Sequence, residues 1–192
     1  MKTNLLILLL FFIPNFSFAQ SFNEVKESAE QGDAEAQFNL GIMYYTGEGT
    51  LTDKKQAFYW YKKSAEQGFA EAQYNLGLLY NFGEGTLTDK KQAFYWYKKS
   101  AEQGDAEAQY NLGGMYNFGE GTLTDKKQAF YWWKKSAEQG IAEAQFILGV
   151  MYDTGEGTLT DKKQAAFWIR KSYENGFEKA KEFWDYKELY KY

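Results

Sequence analysis

One block of 36 residues occurs four times in succession, at 29–64, 65–100, 101–136 and 137–172, with no insertion or deletion between copies. A fixed period in this range means that one small supersecondary unit is stacked on its neighbours. No single unit buries its apolar face alone, so the chain is expected to be a solenoid with one continuous core. Copies two and three differ only at Phe69/Asp105, Leu78/Gly114, Leu79/Met115 and Tyr97/Trp133, which points to a recent duplication.

Each block reads as two helices. In the first copy, helix A is expected over 34–46 and helix B over 54–67. Gly32 and Gly47 bracket helix A and Gly68 follows helix B, where a left-handed residue is wanted. Asp53 suits the N-cap of helix B, and Gln56 three residues on suggests a capping box. Ala34, Ala36, Phe38, Leu40 and Ile42 alternate with polar residues and Gly41, which is also a strand pattern. Helix is preferred because Ala, Glu, Gln, Leu and Met dominate and β-branched residues are few. In helix B, Ala57, Trp60, Tyr61, Ser64 and Ala65 fall on one helical face.

The pattern Ala36, Leu40–Gly41, Tyr44, Gly47-x-Gly49, Asp53, Ala57, Trp60–Tyr61, Lys63 and Gly68 resembles the Sel-one-like repeat family, relatives of the tetratricopeptide repeats. The resemblance covers all four blocks. It implies an all-α fold, a right-handed α-α superhelix of four helix pairs, used mostly to hold other proteins. Thr50–Leu51 stands where the family usually has Val-Pro, and Gly114 stands where the other copies have Ile42, Leu78 and Val150.

The flanks read as an export signal and two terminal caps. Lys2, the apolar run Leu5 to Ile13 and Ser17-Phe18-Ala19 fit a signal peptide over 1–19, with a mature start at Gln20. The apolar run is too short to span a bilayer. An exported chain, periplasmic or secreted, is therefore expected, with no integral membrane segment after cleavage. Residues 20–28 align with the end of helix B, as a half-unit that starts the stack. Residues 173–192 give one more helix, over about 177–190, in the helix A position. There Ala180 keeps the small site, Trp184 replaces Leu, and Asp185 replaces the glycine that lets a neighbouring helix approach. That Asp would be buried unpaired under a further unit, so the helix reads as a closing cap.

The chain contains no Cys and no His. That removes Ser–His and Cys–His nucleophiles, ordinary zinc sites and disulfides. Gly47-Glu48-Gly49 lacks the Gly-Lys-Ser/Thr of a phosphate loop and reads as a tight turn. Glu48, Thr50, Thr52 and Asp53 are a thin oxygen set for calcium, better explained by helix capping. Secreted cysteine-rich members of the resembling family have been described as penicillin-binding or β-lactamase-like. This chain lacks their cysteines and has no Ser-x-x-Lys, so no cofactor and no enzyme activity are expected. A cell-wall-linked hydrolase or glycan binder is the alternative.

The net charge of −4 argues against nucleic acid. The recurrent Lys54–Lys55 and Lys62–Lys63 read as a solvated face. Trp60, Trp96, Trp132 and Trp168 recur in register and read as core rather than as a sugar platform. At 100° per residue, Glu35, Asn39, Ile42 and Thr46 share one side of helix A, expected to line a concave groove. The matching stripes are Glu71, Asn75, Leu78, Phe82, then Glu107, Asn111, Gly114, Phe118, then Glu143, Ile147, Val150, Thr154. Differences between copies collect there, as a groove tolerates and a packed face does not. The candidate binding residues for a protein or peptide partner are Asn39, Ile42, Asn75, Leu78, Phe82, Asn111, Phe118, Ile147 and Val150. The chain itself is expected to be a monomer.

Overall fold

A computed structural model describes residues 22–186, with backbone alone for the last two. Among the described residues every regular element is helical. They are α1 (Phe22–Glu30), α2 (Ala34–Thr46), α3 (Lys54–Glu66), α4 (Ala70–Phe82), α5 (Lys90–Glu102), α6 (Ala106–Phe118), α7 (Lys126–Glu138), α8 (Ala142–Thr154), α9 (Lys162–Glu174) and α10 (Glu178–Tyr186). The strand alternative for helix A is excluded, and four A–B pairs run from α2 to α9. The proposed leader, the Asp185 side chain and the last residues of the closing helix lie outside the described residues.

Each helix contacts its sequence neighbours, as a stack requires. α1 packs on α2 as α3 packs on α4, and α10 covers α9. Ala180 is fully buried against Ala166 and Ile169, with Trp184 packed beside them. The small site read in the closing helix is thus used as in the full units.

Helix ends follow the local chemistry. Asp53 accepts from the backbone N–H of Lys55 and Gln56. Gln56 does not close a capping box, because the Asp53 N–H donates instead to the Tyr44 carbonyl at 2.8 Å, tying the loop to the end of helix A. Helix A is capped by Asp33 and Asp105 in α2 and α6. Phe69 and Ile141 take that position in α4 and α8 without a side-chain cap bond. Phe69 packs on Phe38 instead, with ring centroids 5.2 Å apart. An apolar contact between units there replaces a cap worth about 1 kcal/mol.

Within a unit, the glycine inside helix A determines how close helix B comes. A Cβ on Gly41 or Gly77 would lie 2.6 Å from the Tyr61 or Tyr97 ring, and on Gly113 or Gly149 2.7 Å from Trp133 or Ile169. Ser64 Oγ then donates to the Ala34 carbonyl at 2.6 Å, and the same bond recurs in every unit. Between units the Trp residues fill the core: Trp60 is buried among Val25, Ala29, Ala36, Leu40 and Met43. Phe58, Phe94 and Phe130 of helix B meet Tyr80, Tyr116 and Tyr152 of the next helix A edge to face. Glutamines add a polar seam. Gln73 Nε2 donates to the Ala65 carbonyl, and Gln103 Nε2 donates to Gln73 Oε1.

Candidate functional site

The helix A face carries the candidate site, and its residues divide by burial. Phe82 and Phe118 stand out from the surface, 51% and 72% exposed. Asn39 and Asn111 are half-buried. Asn75 is 7% exposed and donates its amide N–H to the Glu71 carbonyl at 2.8 Å, so its side chain is committed to its own helix. Ile42 packs against a cluster that includes Tyr61, Leu76 and Leu79. Leu78 packs against Tyr97, Leu112 and Met115. Ile147 lies against Trp133 and Met151, and Val150 against Ile169 and Ala180. These four apolar residues are therefore floor between units rather than free contact surface. What stands above that floor is Phe82 and Phe118, each the last residue of its helix.

Gly114 interrupts the floor. A Cβ built there meets nothing within 4 Å, in contrast to the adjacent Gly113. Gly114 and Phe118 are one helical turn apart on the same side. The aromatic ring of unit three thus stands beside open space, whereas Phe82 stands one turn from the Leu78 side chain.

Charge is unevenly distributed between the two helix layers. α2, α4, α6 and α8 contain no Lys or Arg, whereas α3, α5, α7 and α9 each carry four cationic residues. The first turns of α4, α6 and α8 bring Glu71, Glu107 and Glu143 together with Asp105. Burial, then the nearby Asp105 and Glu143 carboxylates, push Glu107 above the usual carboxylate range. Burial and the Glu71 charge push Asp105 up, against the lowering effect of its capping bond from Ala108 N–H. The Tyr74 hydroxyl is also raised, first by burial and then by Glu107 and Asp105.

The loop between the helices carries a device that the sequence pattern did not reveal. Lys54, expected in a solvated face, reaches the loop of the following unit and lies 3.8 Å from Glu84. Lys90 and Lys126 pair in the same way with Glu120 at 2.9 Å and Glu156 at 2.6 Å. The second glycine of each Gly-Glu-Gly makes this seat possible. A Cβ on Gly85, Gly121 or Gly157 would overlap the Lys54, Lys90 or Lys126 carbonyl, and each has φ near +70°. Lys162 pairs instead with Asp153 of its own unit. The signal was present as a Lys and a Glu at constant spacing, but periodicity alone does not say which copies touch. Lys62 and Glu66 do form the expected i,i+4 pair, at 3.8 Å.

Among the described residues no group of three or more Asp and Glu side chains is placed to hold a metal ion. Among the described residues no helix is long and apolar enough to cross a membrane.

The model of the Sel1 repeat matches at 34–69, 70–105, 106–141 and 142–177, with the same period as the blocks and a start at helix A. No curated protein matches the chain in sequence. Among solved structures, c5321, a protective antigen present in uropathogenic Escherichia coli strains, is 40% identical with a TM-score of 0.80, over 84% of this chain and 34% of that one. A Sel1 repeat protein from Oxalobacter formigenes is 34% identical with a TM-score of 0.79, over 85% of this chain and 47% of that one. The chain thus spans about a third and about half of these relatives. Cysteine rich protein B of Helicobacter pylori shares the fold at 23% identity and a TM-score of 0.55, over 69% of this chain and 95% of that one. Proteins of this repeat class are generally non-enzymatic scaffolds that bind other proteins. Four consecutive matches over most of its length, with helix pairs stacked as in those relatives, show that the chain belongs to the Sel1 repeat family.

Proposed function

We propose that this chain is an exported scaffold, periplasmic or secreted, that holds a protein or peptide partner along the helix A face of its solenoid. The observation that carries this is the exposure of Phe82 and Phe118 at equivalent positions of the two central units. The outer units have Thr46 and Thr154 there, each hydrogen-bonded back to its own helix at Ile42 and Val150. Two exposed aromatic side chains at matching positions of adjacent units have the character of binding anchors. The chain works as a monomer, without cofactor and without catalysis, and nucleic acid is not its partner.

The test uses a partner captured from periplasm or culture medium. Phe82→Ala with Phe118→Ala should weaken its binding at least about tenfold, roughly 1.4 kcal/mol, while the melting temperature stays within a few degrees. A large fall in melting temperature with unchanged binding per folded molecule would place both residues in the core. Export is tested by intact mass: a mature start at Gln20 is expected, and an uncleaved chain held in the membrane would contradict it. Hydrolysis of a chromogenic β-lactam by the purified chain would overturn the non-catalytic part.

A further inference from the structure

Resting on the helix A face as the binding surface, we infer that its partner is a positively charged, extended peptide segment carrying an apolar side chain. That apolar group sits between Phe82 and Phe118 above Gly114, with the segment's cations along the carboxylates of Glu71, Asp105, Glu107 and Glu143. Three independent features converge on this occupant.

The first is geometry. Glu71 and Phe82 are eleven residues apart in α4, as Glu107 and Phe118 are in α6. Eleven residues return to nearly the same side of a helix and cover about 17 Å along its axis. The face therefore has a carboxylate rim at the start of the helices and an aromatic rim at their end.

The second is the open space at Gly114. Copies two and three are nearly identical, yet one of their four differences removes the Leu78 side chain at this point. What remains is a notch beside the most exposed aromatic ring among the described residues.

The third is charge. A carboxylate in the first turn of a helix is favourable by itself, through the helix dipole. That accounts for one Glu per helix, but not for crowding across three units with no cation nearby. None of Glu71, Asp105, Glu107 and Glu143 forms an ion pair among the described residues, while Glu84, Glu120 and Glu156 all do. Cations are present in number, but they belong to the helix B layer and the loop seats. A cationic segment would relieve this repulsion, and an acidic or neutral one would not.

The probe is a library of random peptides displayed on phage and selected on the purified full chain, followed by synthesis of the enriched sequences with a fluorescent label. Enriched peptides should carry net positive charge and at least one large apolar residue. Their affinity should fall on the order of tenfold with Glu107→Gln plus Glu143→Gln, and fall again between about 0.05 and 0.5 M salt, where screening removes exposed charge interactions. Gly114→Val, which refills the notch with the residue of unit four, should weaken them as well. Neutral or acidic enriched peptides that still depend on Phe82 and Phe118 would overturn the charge assignment alone. Peptides insensitive to Phe82→Ala with Phe118→Ala, or no enrichment at all, would overturn the groove with it. Circular dichroism of each variant separates lost binding from lost fold.

Discussion

Gly113 and Gly114 are neighbours in α6, yet replacing each with alanine should move stability in opposite directions. Both lie within the helix and neither has positive φ. Alanine is favoured over glycine in a helix interior by about 1 kcal/mol, chiefly through backbone entropy. At 114 a new methyl meets nothing within 4 Å, so most of that gain is kept and the chain should be stabilised by about 0.5–1 kcal/mol. At 113 the methyl would lie 2.7 Å from Cδ1 and 2.8 Å from Nε1 of Trp133. That indole is buried and donates its N–H to the Tyr110 carbonyl at 3.0 Å, so it has no room to swing aside. Overpacking costs about 1–3 kcal/mol, and a weakened hydrogen bond adds up to about 1 kcal/mol. After the propensity gain, a net loss of up to about 3 kcal/mol remains. Urea melts followed by far-ultraviolet circular dichroism measure both variants against the parent, with the slope checked for segmental unfolding. Adding Trp133→Ala should remove the penalty of Gly113→Ala, a coupling that a double-mutant cycle reads directly. Equal shifts of the same sign for the two glycines would refute the close-approach account of the unit.

Three further outcomes follow from the packing. Trp96→Ala should cost about 3–5 kcal/mol, and the melt should broaden or split, because each unit leans only on its neighbours. Gly85→Ala should cost about 2–4 kcal/mol, combining a left-handed backbone with overlap on the Lys54 carbonyl; a neutral effect in the melt would mean the loop is not seated there. Glu107 is held above its unfolded range by burial and like charge, so its contribution favours the fold below that raised range and is lost as pH rises through it. Glu107→Gln should therefore stabilise the chain at neutral pH and lose that advantage in acid, as thermal melts across pH will show.

Much of this architecture was legible because the repeat turns one set of local rules into four consistent copies. Asp53, Gly47 and Gly68 marked helix ends through chemistry that acts within a few residues. The helix B stripe Ala57, Trp60, Tyr61, Ser64 and Ala65 is buried as periodicity required, because an amphipathic helix has only one face to hide. The site was less legible. Helical angles placed Asn75, Ile42, Leu78, Ile147 and Val150 on one side of helix A, but an angle does not say how closely the next unit covers that side. Covering is determined by residues a unit away, such as Leu76 and Leu79 for Ile42. The Lys54–Glu84 seat was missed for the same reason: its partners lie 30 positions apart in the chain and meet only in the stack.

The central claim is that the partner lies on the helix A layer. Isotope-labelled chain titrated with the captured partner tests it directly, by recording which backbone amide signals move. The account predicts that the largest shifts fall in α4 and α6, around Leu78, Phe82, Gly114 and Phe118, with a second group near Glu107 and Glu143. Shifts confined to α3, α5, α7 and α9, the lysine-rich layer, would contradict it.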